Sequence, residues 1–429
     1  MAQNLQASTL SFVSSLPATR TLPNTSSLRR DSIYSDSRYK GFLGRHLLLT
    51  TAIEATALPS KTVMSSTRET ASETVDKTET QKFYSRQNGK KIAKDVVVFI
   101  HGITIENEPG KNVTQGQLAS YNALYEGVKN MMKGSSNEKS EEWEKAETIR
   151  VLWGYEGMRA DGKPLSGLHT KLAQAQRFLG TTTDQIEKDH QTFGLNPLKW
   201  LIRSARSPLR YGMSDMFFYV SAAGRPLIRQ AVATQIMTQG INELIDKGEP
   251  IELTLLGHSA GSVVAHDFAF FLHNAQNMTI QQTKEESEKF AAGDAELRVE
   301  LQKLIDHAQK GKLKIRKLFT FGSPLHILFI RSLPVLERFT DESAKRVDPA
   351  AYGLCEDYEG ATYPRWINTV EEGDPIAGPV CGLVEPTSKQ TGSKTIVKDE
   401  FLNLTWKTSE AHSAYWRSTK FSEVICKHW

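Results

Sequence analysis

Cysteine is scarce in this chain, and its scarcity excludes two classes of protein. The 429 residues include three cysteines, which lie far apart and form no Cys-x-x-Cys pair: Cys355, Cys381 and Cys426. Cysteines at such spacing predict neither a disulfide framework nor a zinc knuckle, and they are compatible with a reducing compartment. We therefore expect neither a disulfide-rich protein nor a cysteine-based metal site.

Long apolar runs and a strong charge imbalance are also lacking. No stretch reaches the roughly 18 uninterrupted apolar residues that a membrane span needs. The net charge of +4 is small for this length and does not predict binding to nucleic acid. Hydrophobic residues make up 39% of the chain and charged residues 24%, which is typical of a globular protein. The length allows one large α/β domain or two ordinary domains.

Acidic residues are absent from the first 30 positions, which are rich in serine and threonine and include Arg20, Arg29 and Arg30. This composition is typical of a transit peptide for a plastid or mitochondrion, and an untargeted tail of a cytoplasmic protein is the alternative. Residues 65–82 have almost no apolar side chains and are predicted to be disordered. We therefore divide the chain into a leader and linker, residues 1–90, and a folded domain, residues 91–429.

Apolar runs alternate with helical patterns in the folded domain. A continuous apolar run at 95–100 is typical of a buried parallel strand, and a helical pattern over 115–132 leads to a second strand at 148–153. Further strands are predicted at 251–256, 314–321, 363–370 and 401–406, and further helices at 226–247, after residue 259 and at the C-terminus. This alternation predicts an α/β fold, with a mostly parallel central sheet flanked by helices.

Three insertions interrupt the alternation, at about 155–220, 278–312 and 331–362. The charged stretch 281–312 is interpreted as a solvated helical insertion. In the first insertion, residues 197–210 carry four basic and no acidic residues around an apolar cluster that includes Trp200. That makeup is typical of an interfacial helix, which would act as a lid over an apolar cleft. An ordinary surface helix whose apolar residues pack on the core is the alternative.

The strongest motif follows the apolar strand at 251–256. It reads Gly257-His258-Ser259-Ala260-Gly261 and leads directly into a helical pattern. A Gly-x-Ser-x-Gly motif between a strand and a helix forms a nucleophile elbow, a sharp turn that strains the serine backbone and exposes its hydroxyl. The motif alone is weak, but this context predicts that Ser259 is a nucleophile rather than part of a chance turn.

A serine nucleophile needs a base, and the base needs an acid that orients it. In this topology the three follow in the order Ser, Asp or Glu, His, on loops after successive strands. Asp374 lies in a turn directly after the strand at 363–370. Asp267 is too close in sequence to the elbow, and Asp357 follows no clear strand. Asp374 is therefore the predicted acid, and a turn residue that bonds its own backbone is the alternative.

The base should follow Asp374, which leaves His412 and His428. His428 is penultimate, where chain termini usually fray. His412 lies in a polar segment just before a predicted helix, a position suited to a catalytic loop. His412 is therefore the predicted base, and a surface histidine without a catalytic role is the alternative.

Acyl transfer also needs backbone N–H donors for the developing oxyanion. We expect one from Ala260, directly after the nucleophile, and one from Ile103, with Thr104 close enough to assist. Ile103 follows His101-Gly102, where the glycine lets the backbone approach the nucleophile. An ordinary turn at the end of a strand is the alternative for this pair.

Three more residues are candidates for the surroundings of the pocket. Ser323 follows the strand at 314–321 and is expected to form a pocket wall, unless it only ends that strand. His326 belongs to the apolar segment 325–330, which lines an apolar cleft or is part of the core. His258 is expected to support the elbow rather than to take part in the chemistry.

In combination these motifs resemble the α/β-hydrolase superfamily, most closely its lipase and carboxylesterase branch. The motifs are Phe-Ile-His-Gly at 99–102, Gly-His-Ser-Ala-Gly-Ser at 257–262, Thr-Phe-Gly-Ser-Pro at 320–324, Trp-Ile-Asn at 366–368, Gly-Asp-Pro-Ile-Ala at 373–377, and His412 with Tyr415-Trp416. The resemblance spans about residues 91–429. It implies the α/β-hydrolase fold, with Ser259, Asp374 and His412 as the catalytic triad.

The expected activity is hydrolysis of a carboxylic ester, of a small molecule or a lipid, through an acyl-enzyme on Ser259. It requires no metal or organic cofactor, and a lid would add transient contact with a membrane surface. Acyl transfer to an alcohol and thioester cleavage are close alternatives. A different alternative is a catalytically inactive hydrolase scaffold that binds a ligand or a partner, although the retained Ser, Asp and His argue against it.

Overall fold

The structure is a computed structural model that describes only part of the chain. The described residues are 86–87, 90–102, 113–153, 216–217, 219–221, 224–277, 295–328, 353–355, 357–387, 394–405 and 407–429. All of them fall within one unit, residues 76–429. The predicted leader and linker lie outside the described residues except for residues 86–87 and 90. The basic segment 197–210 with Trp200, predicted as a lid, lies entirely outside them. Both assignments therefore stay predictions.

Six parallel strands form the central sheet. They are β3 (Lys94–Ile100), β4 (Glu147–Val151), β5 (Ile251–His258), β6 (Leu313–Phe321), β7 (Trp366–Glu371) and β8 (Val397–Leu402), in the spatial order β4-β3-β5-β6-β7-β8. A two-residue antiparallel pair, β1 (Arg86–Gln87) with β2 (Lys90–Lys91), precedes them. The predicted α/β class with a parallel sheet is therefore confirmed.

The helices pack against both faces of this sheet. They are α1 (Val113–Ser135), α2 (Asn137–Lys145), α3 (Gly224–Ile236), α4 (Asn242–Asp246), α5 (Ala260–Asn277), α6 (Ala295–Gln309), α7 (Leu325–Leu328), α8 (Thr408–Ala411) and α9 (Thr419–His428). A π-helical turn at Met237–Ile241 joins α3 to α4, and a 3-10 turn at Ala414–Arg417 precedes α9. None of the described helices is long and apolar enough to span a membrane.

Two apolar cores lie on opposite faces of the sheet. In β3, Val96, Val98 and Ile100 pack with residues of α3, α5 and α6, whereas Val97 and Phe99 pack with residues of α1, α2 and α9. Because successive side chains of a strand point to opposite faces, a strand covered on both sides must be apolar at every position. This explains why the central strands read as continuous apolar runs in the sequence.

Side chains of glutamine cover the outer edge of β4. Gln235 Oε1 accepts the backbone N–H of Leu152, and Gln235 Nε2 donates to the carbonyl oxygen of the same residue. Gln239 makes the same pair of bonds with the backbone of Arg150. The two amides take the place of a neighbouring strand, so that these backbone groups of the edge are not left as a template for pairing with another chain.

Two sequence predictions need correction, and one helix was missed. The interpretation of residues 281–312 as a solvated insertion is wrong for its described part, because α6 buries Leu301, Leu304, Ile305 and Ala308 in a core. The last strand spans Val397–Leu402, earlier than the predicted 401–406, and it carries Lys398, Asp399 and Glu400. Helix α2 was not predicted, because its nine residues include few apolar side chains besides the buried Trp143.

Candidate active site

The residue Ser259 lies in a sharp turn between β5 and α5. Its backbone φ is +53°, and among the described residues it is the one non-glycine with a positive φ. Such a conformation costs on the order of 1–3 kcal/mol and persists only where the surroundings enforce it. The Ser259 N–H donates to the carbonyl of Phe321 in β6, and its own carbonyl accepts the N–H of Ser262 in α5. The strained turn predicted for a nucleophile elbow is therefore present.

Glycines allow the elbow to sit against the end of β3. A Cβ at Gly261 would lie 2.1 Å from the carbonyl oxygen of His101. A Cβ at Gly102 would lie 2.4 Å from the Cβ of Ser259 and 3.0 Å from its Oγ. The backbone that follows β3 can therefore approach the serine hydroxyl only because these two positions have no side chain.

The hydroxyl of Ser259 lies within hydrogen-bonding distance of His412. The Oγ atom is 2.8 Å from Nε2 of His412, and Nδ1 of the same ring is 3.0 Å and 2.9 Å from the two carboxylate oxygens of Asp374. The three residues follow β5, β7 and β8, and the carboxyl ends of those parallel strands lie at one edge of the sheet. The structure thus brings together the three residues that the sequence predicted as nucleophile, acid and base.

Hydrogen-bonding chemistry determines which nitrogen of His412 carries the proton. A carboxylate only accepts hydrogen bonds, so Nδ1 donates to Asp374 and Nε2 is left to accept from the serine hydroxyl. Burial raises the pKa of Asp374. Two contacts lower it by more than burial raises it: His412, through its hydrogen bond and charge, and the N–H of Ile376, which lies 2.9 Å from Oδ1. The net shift of the pKa is downward. The acid therefore stays ionised, as an orienting carboxylate must.

The other two candidate acids, Asp267 and Asp357, have partners outside the proposed site. Asp267 accepts a hydrogen bond of 2.6 Å from the hydroxyl of Tyr219 and lies 3.7 Å from the guanidinium of Arg229. Asp357 forms an exposed ion pair of 3.1 Å with Lys394. Neither carboxylate contacts the imidazole of His412 in the described residues, so Asp374 is the acid that the geometry favours.

His428, the other candidate base, also has a partner outside the proposed site. The sequence had argued against it for a different reason, the expected fraying of the C-terminal residues. The C-terminal residues do not fray: His428 is buried in α9, and its Nε2 lies 2.9 Å from a carboxylate oxygen of Glu400 in β8. Burial lowers the pKa of His428, and the Glu400 carboxylate partly offsets that shift. The prediction of a frayed terminus was therefore wrong, while the choice of His412 over His428 agrees with the contacts.

One of the two predicted oxyanion donors can be placed. Ala260 is buried and is the first residue of α5, so its backbone N–H belongs to the first turn, where an N–H has no acceptor within the helix. The N-terminal end of a helix also carries a partial positive charge. Ile103 and Thr104 lie outside the described residues, so the second donor stays a prediction.

The side chain of His101 is enclosed in a structural network. Its Nδ1 bonds the carbonyl of Gly102, its Nε2 accepts the N–H of Trp153 at 3.1 Å, and its ring stacks on the Trp153 indole at 5.7 Å. Burial lowers the pKa of His101 to about 4, so the ring is neutral at physiological pH. His101 thus anchors the end of β3, and its described contacts place none of its ring atoms on Ser259 or His412.

The hydroxyl of Ser323 supports the elbow from behind. Ser262 Oγ donates to the carbonyl of Ser259, and Ser323 Oγ, 2.6 Å away, must then donate to Ser262 Oγ because a hydroxyl has one proton. Ser323 is almost fully buried. Its described contacts therefore stabilise the elbow, and its expected place as a pocket wall stays a prediction.

The other two candidates near the pocket have different surroundings. His326 lies in α7 with its ring against Gly378, where an added Cβ would come within 2.3 Å of Nδ1. That position is compatible with either of its sequence interpretations. His258 is buried, and its Nε2 lies 2.7 Å from the carbonyl oxygen of His412. His258 therefore belongs to the elbow and also contacts the loop that carries His412, the predicted base.

A role for Tyr415 was missed in the sequence. Its hydroxyl accepts the N–H of Glu371 at 2.7 Å and donates to Oδ2 of Asp374 at 3.3 Å. Burial raises the pKa of Tyr415 well above its ordinary value, so the phenol keeps its proton. The signal was the Tyr-Trp pair three residues after His412, which contributed to the family resemblance without a stated task.

No protein-family model, curated protein or solved structure was found to match this chain. Among the described residues, no group of three or more His, Cys, Asp or Glu side chains is placed to hold a metal ion. Any assignment of function must therefore come from the geometry of the site and from the chemistry of its residues.

Proposed function

We propose that this chain is a serine hydrolase of the α/β-hydrolase fold that cleaves carboxylic esters. The observation that carries the proposal is the contact between Ser259 Oγ and His412 Nε2 at 2.8 Å, with Asp374 on the other nitrogen of the ring and the serine in a strained turn. A nucleophile, a base and an orienting acid in mutual hydrogen-bonding distance are the recurring arrangement of acyl-transfer enzymes.

The order of the strands supports the assignment of fold. The chain passes from β3 outward to β4 and then returns to the other side of β3 with β5. The loops after β3 and β5 therefore leave the sheet in opposite directions, and ligands of open α/β sheets bind at such a switch point. Ser259 follows β5 at this switch point, and the order Ser, Asp, His along the chain is that of α/β-hydrolases.

The proposed reaction proceeds in two halves. In the first, Ser259 Oγ attacks the ester carbonyl carbon while its proton moves to Nε2 of His412. The Ala260 N–H, together with the predicted Ile103 N–H, stabilises the negative charge that develops on the carbonyl oxygen. His412 then gives its proton to the departing alkoxide, and the alcohol leaves an acyl group bonded to Ser259.

In the second half, water replaces the alcohol. His412 takes a proton from the water, which attacks the acyl carbon, and returns that proton to Ser259 Oγ as the carboxylic acid is released. The ionised Asp374 stabilises the imidazolium in both halves and keeps its Nδ1–H pointing away from the serine. The proposed substrate is a small-molecule or lipid ester, and the reaction uses only these side chains, backbone donors and water.

The test compares the wild type with Ser259→Ala, using short-chain and long-chain p-nitrophenyl esters and labelling by a fluorophosphonate probe. We expect Ser259→Ala to lose labelling and to lose ester hydrolysis by more than about 10³-fold, as removal of a triad nucleophile does. Ser422→Ala is the matched control, because it removes a buried serine of α9 that bonds the carbonyl of Ser418 and is remote from the elbow in the chain.

Two outcomes would contradict the proposal. Equal hydrolysis by the wild type and Ser259→Ala would mean that another group performs the reaction. A folded wild type that neither hydrolyses any ester nor reacts with the probe would favour the inactive scaffold instead. A labelled wild type that hydrolyses no ester of the series would shift the proposal to acyl transfer or thioester cleavage, which a panel of acyl-CoA substrates and alcohol acceptors would test.

A further inference from the structure

The imidazole of His258 is enclosed beside the proposed base. The ring centroids of His258 and His412 are 4.8 Å apart, and the His258 ring also lies 5.2 Å from Phe321 and 5.1 Å from Trp416. Its Nε2 is 2.7 Å from the backbone carbonyl oxygen of His412. The histidine of the elbow thus reaches a residue that is 154 positions later in the chain.

The direction of this hydrogen bond follows from its acceptor. A carbonyl oxygen can only accept, so Nε2 of His258 carries the proton and donates it. Burial first, and then the charge of His412, lower the pKa of His258 to about 3. The ring therefore stays neutral, with the same donor in place, when His412 becomes protonated during the proposed reaction.

Among the described residues, the other backbone hydrogen bonds around His412 stay within its own loop, residues 407–413. His412 follows the four-residue helix α8 as its C-terminal cap. Its backbone N–H donates to the carbonyl oxygen of Glu410 within the same turn. The backbone N–H of Ser413 also donates to the carbonyl oxygen of Glu410. These bonds are local and can move with the loop as a unit. The bond from His258 differs from them because it ties the backbone of the base directly to the residue that precedes the nucleophile.

We propose that His258 is a positioning residue that holds the backbone of His412 where its Nε2 meets Ser259 and its Nδ1 meets Asp374. The proposal rests on the hydrolase function proposed above. It assigns the histidine of the motif to the alignment of the base, whereas the sequence predicted only support of the elbow. Misplacement of a catalytic group by about 1 Å costs on the order of 10²-fold in rate, so the loss of this tether should be measurable.

The test uses substitutions that separate the donor from the volume of the ring. His258→Gln keeps an N–H at about the reach of Nε2, His258→Asn keeps an amide that is too short, and His258→Leu removes the donor. We expect the Leu and Asn variants to lose about 10- to 100-fold in kcat with little change in KM, and the Gln variant to recover most of that loss. Fluorophosphonate labelling should slow in parallel with kcat.

The chain offers a matched control in His307. That histidine is buried in α6, and its Nε2 also lies 2.7 Å from a backbone carbonyl oxygen, that of Glu249, just before β5 begins. Burial lowers the pKa of His307 as it does that of His258. His307→Leu removes the same kind of bond at the opposite end of the sheet, so it should lower the melting temperature and leave kcat unchanged.

Each result has a distinct meaning. Wild-type kcat in His258→Leu, with hydrolysis still dependent on Ser259, would overturn the positioning role and leave the proposed function standing. Equal kcat in the Gln and Asn variants would also overturn it, even if the Leu variant does not fold. Activity that persists in Ser259→Ala would instead remove the proposed function on which this inference rests.

Discussion

The two ends of the parallel sheet differ in the buried polar groups that they contain. At the carboxyl ends of the strands, His258 is buried in its neutral form, and Ser259 has a strained backbone. Near the amino ends, charges are buried in pairs: the Arg316 guanidinium lies 2.7 Å from Asp95 and 4.0 Å from Glu252, and both carboxylates also contact the ammonium of Lys91. One end contains the candidate site, and the other contains a network of ion pairs.

This difference suggests that the two ends serve different requirements. Strain and close backbone approach are unfavourable for folding, and such features are typical of functional sites that need one geometry. A buried charge network gives no catalytic geometry, but removal of one member leaves an uncompensated charge. Substitutions at the amino end should therefore lower stability with little effect on kcat, whereas substitutions at the carboxyl end should lower catalytic activity, whether or not they also lower stability.

The largest expected effect is that of Arg316→Met. The guanidinium is almost fully buried and also lies 4.4 Å from the ring of Trp429. Its loss leaves Asp95 and Glu252 with Lys91 as their nearest cation, so we expect a decrease of about 3–5 kcal/mol in the free energy of unfolding. Denaturant unfolding measures this change, and kcat on a soluble ester, well below the unfolding midpoint, should stay at the wild-type value.

An exposed ion pair provides the control for this substitution. Lys145 lies 2.8 Å from Glu141 on the surface of α2, and Lys145→Met should leave the unfolding midpoint nearly unchanged. Asp95→Asn combined with Arg316→Met should recover part of the stability, because the carboxylate is no longer left without its main partner. An Arg316→Met midpoint equal to that of Lys145→Met would show that the network does not stabilise the fold.

The next effect in size belongs to Gly102→Ala, at the carboxyl end. The new Cβ would meet the Cβ of Ser259 at 2.4 Å, so either the loop after β3 or the serine must move. We expect kcat/KM to fall by about 10²-fold, with a loss of about 1–3 kcal/mol in stability from overpacking. Ester kinetics and denaturant unfolding of the same preparation separate the two quantities.

Gly134→Ala is the matched control for that change. A Cβ at Gly134, near the end of α1, would have no atom within 4 Å, so alanine should not lower stability and should not affect kcat/KM. If Gly102→Ala loses stability but keeps its kcat/KM, the close approach matters for folding alone. The functional contrast between the two ends of the sheet would then be wrong.

The parts of the site that were predictable are those governed by chain order. Ser259 stood out because a Gly-x-Ser-x-Gly motif lay between a strand and a helix, and Asp374 and His412 followed from the order of the triad. Ser259 and Asp374 follow strands that the apolar pattern had located to within a few residues. His412 follows β8, which the pattern had placed too late in the chain. The orientations of neighbouring side chains were not predictable, because sequence order does not tell which side of a loop a residue such as His258 or Tyr415 takes.

The parts of the fold that were missed are those where charge conceals burial. Strand β8 contains Lys398, Asp399 and Glu400. Asp399 accepts the N–H groups of Val380 and Cys381, and Glu400 contacts Lys398 within the strand as well as the distant Lys427 and His428. Helix α6 carries its apolar face among many charged residues and therefore looked solvated. In both cases the information lies in tertiary contacts, which a pattern of local hydrophobicity does not contain.

The smallest expected effect concerns Lys317, which follows Arg316 in β6 and is fully buried. Its Nζ donates to the carbonyl oxygens of Thr362 at 2.9 Å and Pro364 at 2.5 Å, and a neutral amine keeps enough N–H groups for both. Burial first, and then the charges of Arg365, Arg316 and Lys139, lower its pKa from 10.5 to about 6. The amino end therefore contains one group that, like His258, is buried in its neutral form.

The sign of the pH dependence follows from this shift. Between about pH 6 and pH 10.5 the unfolded chain binds a proton at Lys317 that the folded chain does not, so the free energy of unfolding rises with pH across that window. One such group contributes at most about 1.4 kcal/mol per pH unit. Lys317→Met should therefore show a shallower rise between pH 6.5 and about 9 than the wild type, measured by denaturant unfolding at each pH. Lys310→Met, at an exposed turn, controls for the loss of one cation, and identical slopes in all three proteins would mean that Lys317 is charged in the folded state.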